Sequence, residues 1–208
     1  MALAKDRIVI LKSINFSEAD KILTVFGQNR GRFTLLCKGI RKIESKNRGN
    51  MQTLSISDIT FYEGKNMSIL RESSLVNGAE YEKDNYSEIK GLLYLLNKVL
   101  VEDQPEPRVF SFLEELFEKG FSTKNVNKFR VRCLQEIGFL PDLKRCSVCG
   151  HTNGLDYFET KTFCMICSNC FQKESLRTNK SVVPLRKVKY SNKIMSDAID
   201  NFIKSVIE

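Results

Sequence analysis

The sequence predicts an α+β chain, with five short strands forming a small barrel or sandwich, then a helical domain carrying a cysteine-rich metal module. Three observations predict it. Apolar residues alternate with a period of two through residues 6–72, the period lengthens toward 3.6 from Glu80, and five of the seven cysteines fall between Cys146 and Cys170. At 208 residues, 42% of them hydrophobic, the chain is long enough to build a packed core, and it contains no internal repeat or low-complexity block.

The strands are expected at Asp6–Ile14, Lys21–Phe26, Gly31–Lys38, Ser55–Tyr62 and Met67–Glu72. The segments SEAD, GQNRG and EGKN and a long basic loop separate them with turn-forming residues. In the helical part, Ile89, Leu92, Leu93, Leu96, Val99 and Leu100 make one apolar stripe that stops before Pro105 and Pro107. Val109, Phe110, Leu113, Leu116 and Phe117 make a second, closed by Gly120. Ser122 or Thr123 caps a third helix carrying Val126, Phe129, Cys133, Leu134 and Ile137, with Gly138 as its stop. The cysteine-rich segment follows, after it the chain reads as basic and irregular as far as Tyr190, and Ser191 caps a last amphipathic helix. These stripes are most simply core.

Cys146-Ser-Val-Cys149-Gly150 has the form of a zinc knuckle, in which two thiolates grip one tetrahedral metal and the glycine lets the backbone turn. Cys164, Cys167 and Cys170 offer two overlapping candidates for the second pair. Only Cys167 with Cys170 lies at the usual ~15–20-residue spacing from the first, and Ser168-Asn169 suits the turn, while Met165-Ile166 reads as a strand leading into it. Cys164 stays open as a substitute for Cys170. Four thiolates fill a tetrahedral shell, so the expected Zn2+ is structural. A pair of disulfides is the alternative, and His151 is read as a neighbour of the knuckle, not a ligand. Cys37 and Cys133 fall on apolar stripes.

The formal net charge is +8, and its densest part is the run from Arg30 to Arg48, where Arg30, Arg32, Lys38, Arg41, Lys42, Lys46 and Arg48 are opposed only by Glu44. Spread along a strand and the loop opened by Gly39, these cations form a candidate track for a phosphate backbone, with Phe16, Phe26, Phe33, Phe61 and Tyr62 as candidate stacking faces. No helix-turn-helix or three-base finger motif is present, so the expected binding is general. No G-x-x-x-x-G-K-[ST], H-E-x-x-H, G-x-S-x-G or H-x-E with a downstream cysteine pair occurs, and the chain is read as a non-enzyme. The N-terminus MALAKDRIVILKS lacks a cleavage site, and no apolar run approaches the ~18–20 residues of a membrane span. A cytoplasmic protein is expected.

Two segments carry a family resemblance. SEADKILTVFGQNRGRFTLLCKGIRKIESKNRG and FRVRCLQEIGFLPDLKRCSVCG resemble the two hallmarks of the RecO family of bacterial recombination mediators, and the likeness covers most of residues 6–170. It implies an OB-type (oligonucleotide-binding) β-barrel over residues 1–79 and an α-helical domain over residues 80–208, with a four-cysteine zinc module at 146–170. By position, Lys38, Gly39 and Arg41 fall on the family's basic loop, and Cys146, Cys149, Cys167 and Cys170 on its cysteine pairs. The implied role is DNA repair and recombination in response to DNA damage, through binding of single- and double-stranded DNA and strand annealing. The implied partners are RecR and the C-terminal tail of single-stranded-DNA-binding protein, with the RecA recombinase loaded as a result. The implied location is the cytoplasm, in association with the nucleoid. Where the family often carries Gly-Gly ahead of its second pair, this chain has Phe163-Cys164. The competing reading is a zinc-containing adaptor of a repair or transcription complex without its own grip on DNA.

Overall fold

The computed structural model describes residues 2–80 and 86–207. It divides into two compact units, one of Met1–Asp84 with Leu96–Phe121, the other of Asn85–Leu95 with Ser122–Glu208. The junction expected between residues 79 and 80 abuts segment 81–85, which lies outside the described residues. The first unit therefore contains a helical segment, Leu96–Phe121, that the sequence reading groups with the helical domain.

In the first unit β1 (Leu3–Phe16), β2 (Asp20–Gly27), β3 (Gly31–Cys37), β4 (Ser55–Tyr62) and β5 (Ser68–Gly78) close a barrel in the order β1-β2-β3-β5-β4. Its pairs are antiparallel except a short parallel match of β3 with β5, an OB-type arrangement. The period-two pattern turns Ile8, Ile10, Leu23, Val25, Phe33, Leu35, Ile59 and Phe61 into one buried cluster. Each fully buried side chain of this size contributes roughly 1.5–3 kcal/mol. β1 is long because it serves two partners: Leu3–Val9 pair with β4 and Ile8–Phe16 with β2, and a register shift between Ile10 and Lys12 bends it from one to the other.

Helix α1 (Tyr86–Val99) is followed by α2 (Pro107–Lys119), which begins with Pro107 in its first turn, where a missing N–H costs nothing. The buried Phe110 of α2 packs against Phe26 of β2, with ring centroids 5.6 Å apart. Arg7 of β1 ties barrel to helix by ion pairs to Asp58 at 2.7 Å and Glu114 at 3.3 Å. Leu96–Phe121 belongs with the barrel because these contacts cover one of its sides.

The second unit contains α3 (Thr123–Glu136), capped by Ser122 Oγ accepting from the Asn125 N–H as expected, and α7 (Asn192–Ile207), where Ser191 Oγ accepts from the Ile194 N–H. Between them β6 (Tyr157–Glu159), β7 (Cys164–Ile166) and β8 (Val182–Pro184) form a small sheet in the order β7-β6-β8. Short helices α4 (Ser168–Phe171), α5 (Glu174–Arg177) and α6 (Leu185–Tyr190) complete the unit. The stretch expected to be irregular between the cysteines and Tyr190 thus holds β8 and the two short helices α5 and α6. Arg130 of α3 is only 1% exposed and forms an ion pair with Asp200 of α7.

Candidate metal centre and nucleic-acid interface

Four cysteines converge in the second unit. The sulfurs of Cys146, Cys149, Cys167 and Cys170 all lie within 4.8 Å of one another, the one such group of His, Cys, Asp or Glu side chains among the described residues. The first knuckle turns through Gly150 at φ +75°, with its N–H donating to the Cys146 carbonyl at 2.9 Å. The second turns into α4, where the Cys170 N–H points at Cys167 Sγ at 3.5 Å. The Cys167 N–H points at Cys146 Sγ at 3.4 Å, so backbone dipoles favour negative sulfur. Cys149 and Cys167 are 3.7 Å apart, close to the ~3.8 Å that a tetrahedron with Zn–S bonds of ~2.3 Å requires.

The thiol chemistry agrees. Burial pushes the Cys146 thiol up, but the amides of Cys167, Cys149 and Val148 and the Cys149 thiol outweigh it and bring it down to about 6. The Cys149 thiol, then burial and the Cys167 and Cys146 sulfurs, push Cys170 up to about 12. Four sulfurs this close cannot all ionise unless a cation joins them. Cys164 stands apart, its thiol donating to the Thr162 carbonyl at 3.3 Å, and His151 Nδ1 sits 3.3 Å from Cys149 Sγ on the exposed side. None of the seven cysteines is in a disulfide. Buried Cys37, in apolar surroundings, has its thiol pushed up to about 12.

Phe163, ahead of the second cysteine pair, turns the chain with φ +55°. A left-handed phenylalanine is strained. Its ring offsets the strain by full burial, edge-on to Phe158 at 4.9 Å and tilted to Phe202 at 5.7 Å.

In the first unit the basic run separates into two groups. Arg30 and Arg32 flank the start of β3, and Lys38 follows its end, about 20 Å away at ~3.3 Å per residue. Arg30 pairs with Asp103 at 2.7 Å, donates to Ser68 Oγ at 2.8 Å and lies over the Phe33 ring at 4.7 Å. Arg32 donates to the Asn97 carbonyl at 2.8 Å and pairs with Glu102 at 3.4 Å. Both arginines hold the Leu100–Glu106 segment against the barrel.

The loop proper is built of successive turns. Lys42, Ser45, Arg48 and Asn50 each donate a backbone N–H three residues back, to Gly39, Lys42, Ser45 and Asn47. Gly39 turns at φ +65° with its N–H on Asp20 Oδ1 at 2.7 Å. Buried Ile40 and Met51 pin the two ends in the barrel core, and Asn50 and Asn47 tie the middle to β5 through Ser73. On this fixed scaffold Lys38, Arg41, Lys42, Lys46 and Arg48 are exposed. Of the five candidate stacking aromatics, Phe26, Phe33 and Phe61 are core, and only Phe16 and Tyr62 are exposed. Side-chain parity separates Phe61 from Tyr62 on β4, whereas Phe26 lies on the face of β2 opposite Leu23 and Val25 and is buried against Phe110 of α2.

Two functional candidates escape a search for charge runs. Lys21 lies on β2 but lines a cleft with Arg41 and Arg48. Asn127, 4% exposed within the apolar stripe of α3, leaves its Oδ1 without a partner and lines a pocket of about 310 Å³. The signal for both is a polar residue at an apolar position of the period.

A closed OB-type barrel joined in one chain to helices and a four-cysteine centre defines a class of two-part protein. The chain belongs to the RecO family: the models for the recombination protein O N-terminal and C-terminal regions match residues 1–79 and 91–202. It is 26% identical over 178 residues to DNA repair protein RecO of Syntrophomonas wolfei, covering 82% of this chain and 71% of that one. It is 25% identical over 209 residues to the same-named protein of Thermoanaerobacter sp. (97% and 84%) and 30% identical over 186 residues to that of Thermodesulfovibrio yellowstonii (85% and 73%). Its role accordingly lies in DNA repair and recombination. Among the described residues no helix is long and apolar enough to cross a membrane.

Proposed function

We propose that the chain is a non-enzymatic, DNA-binding recombination mediator of the cytoplasm and nucleoid. It binds single- and double-stranded DNA, anneals complementary strands, and acts with RecR to load recombinase onto strands coated by single-stranded-DNA-binding protein. The observation that carries this reading is the set of five exposed cations, Lys38, Arg41, Lys42, Lys46 and Arg48, on a loop fixed to the barrel. Arg30 and Arg32, committed to Asp103 and Glu102, are assigned to holding the fold. Zinc at Cys146, Cys149, Cys167 and Cys170 holds the knuckles together and takes no part in chemistry.

If about four loop cations meet phosphates, log K falls with log salt at a slope of roughly −3 on single strands, about 50-fold between ~50 and ~200 mM. Anisotropy titrations on both DNA forms test this. A slope unchanged by Arg41→Ala with Lys42→Ala overturns the assignment, and absence of DNA binding favours the adaptor reading.

The pocket beside Asn127 supports a site for the tail of single-stranded-DNA-binding protein. Val131, Val188 and Met195 give it an apolar floor, and Lys124, Lys128 and Arg132 a cationic rim. That combination suits a peptide with acidic residues and an apolar end, whose N–H groups can reach Asn127 Oδ1. Met195→Lys is expected to abolish binding of a tail peptide while leaving DNA affinity unchanged. Unaltered peptide affinity moves the site elsewhere.

A further inference from the structure

Beneath the basic loop lies a polar cleft of about 390 Å³, lined by Asn15, Lys21, Ile40, Arg41, Arg48 and Gln52. It has three cations, two side-chain amides and no carboxylate. Lys21 is the unexpected member. It pairs across the sheet with Asn15 of β1 and Cys37 of β3, on the face of β2 that also carries the core residues Leu23 and Val25. Lys21 thus ends an inward-facing row and lines the cleft beside Arg41 and Arg48, where partial burial of a cation is costly without an anion. The nearest acidic neighbour in sequence, Asp20, is turned to the Gly39 N–H. The cleft's walls are held in place: Ile40 is buried, Arg41 donates to the Ser17 carbonyl at 3.2 Å and Gln52 to the Arg48 carbonyl at 2.6 Å.

We propose that this cleft is a seat for a single phosphate group, held by Lys21, Arg41 and Arg48 with the amides of Asn15 and Gln52 as further donors. The proposal rests on the reading of the loop as a DNA-binding element. It goes further by assigning one phosphate a fixed position at the barrel mouth and by making Lys21, outside the basic run, a direct ligand. The phosphate comes either from the interior of a strand or from its 5′ end.

The test compares Lys21→Gln, Lys21→Arg and the loop variant Lys42→Gln/Lys46→Gln, whose positions do not line the cleft, on 5′-hydroxyl and 5′-phosphorylated oligonucleotides. Loss of one phosphate contact on a single strand flattens the salt slope by about 0.7 and weakens binding about five-fold at ~0.1 M salt. That loss is expected for Lys21→Gln, with Lys21→Arg restoring most of it. Inorganic phosphate alone should shift the Asn15 and Gln52 side-chain amide resonances of the wild type and not of Lys21→Gln. A deficit confined to phosphorylated oligonucleotides identifies the terminal group as the source, and an equal deficit on both identifies an internal phosphodiester. Wild-type affinity and slope in Lys21→Gln, with loss in the loop variant, leaves the DNA-binding reading standing and overturns the seat. Failure of Lys21→Arg to restore binding also overturns it, since the seat requires charge at that position. If the wild type shows no salt-dependent DNA binding, the loop reading itself fails.

Discussion

Cys164 and Cys170 differ by six residues in sequence and sharply in position. Cys170 lies within 4.8 Å of the other three knuckle sulfurs, whereas the Cys164 thiol is turned to the Thr162 carbonyl. Serine at Cys146, Cys149, Cys167 or Cys170 is therefore expected to release zinc, and serine at Cys164 to retain it. Metal analysis of the five purified variants checks this. Retention by Cys170→Ser with loss from Cys164→Ser reverses the assignment. Structural zinc contributes on the order of 10 kcal/mol in small modules, so the four ligand variants should also lose cooperative melting of the helical unit. The grouping of Cys146, Cys149, Cys167 and Cys170 was legible because knuckle spacing is a local property: two sulfurs and a turn set it without help from the rest of the fold. The fate of Arg30 and Arg32 was not, because Glu102 and Asp103 are some seventy residues away and only packing of the Leu100–Glu106 segment on the barrel brings them together.

At the scale of elements, two glycines with opposite expected responses check the packing. Gly31, between Arg30 and Arg32, has φ +84°, and a Cβ there would stand 2.0 Å from the Gln104 carbonyl oxygen. Gly31→Ala must push the α1–α2 connection off the barrel and is expected to cost about 2–3 kcal/mol. Gly91 lies inside α1, where a Cβ would meet the Arg130 guanidinium at 3.5 Å, an ordinary contact. Gly91→Ala should stabilise by about 0.5–1 kcal/mol through helix propensity. Urea melts of both variants decide, and equal signs would show that one of the two contacts is wrongly described. The five strands and four long helices could be read from periodicity because each spans at least one full repeat of its pattern. α4, α5, α6, β6 and β8 span three to six residues, too few to show a period, and long-range packing sets them. The Phe163 turn is a further case, since its left-handed backbone is held by aromatic partners on β6 and α7.

For the whole molecule, the charge balance decides how the chain can bring strands together. Two complementary strands repel through their phosphates, and under the proposed annealing role a chain with a net charge of +8 and its densest cationic run on a fixed loop would lower that repulsion without consuming a nucleotide. No phosphate-cradling G-x-x-x-x-G-K-[ST] is present, and zinc held by the four clustered cysteines would keep no coordination position for a reactant. On that reading base pairing would supply the free energy, and the protein would act on the encounter alone. Annealing of fluorescent complementary oligonucleotides is thus expected to proceed with magnesium chelated and ATP omitted. Its rate should rise with protein until the strands are covered and fall as salt shortens the Debye length from ~10 Å at 0.1 M toward ~3 Å at 1 M. Removing charge at Lys42 and Lys46 should slow it in proportion to the loss of DNA affinity, because both depend on the same phosphates. An absolute requirement for ATP or magnesium, or an annealing rate indifferent to salt, would contradict this passive mechanism and require a catalytic centre elsewhere in the chain.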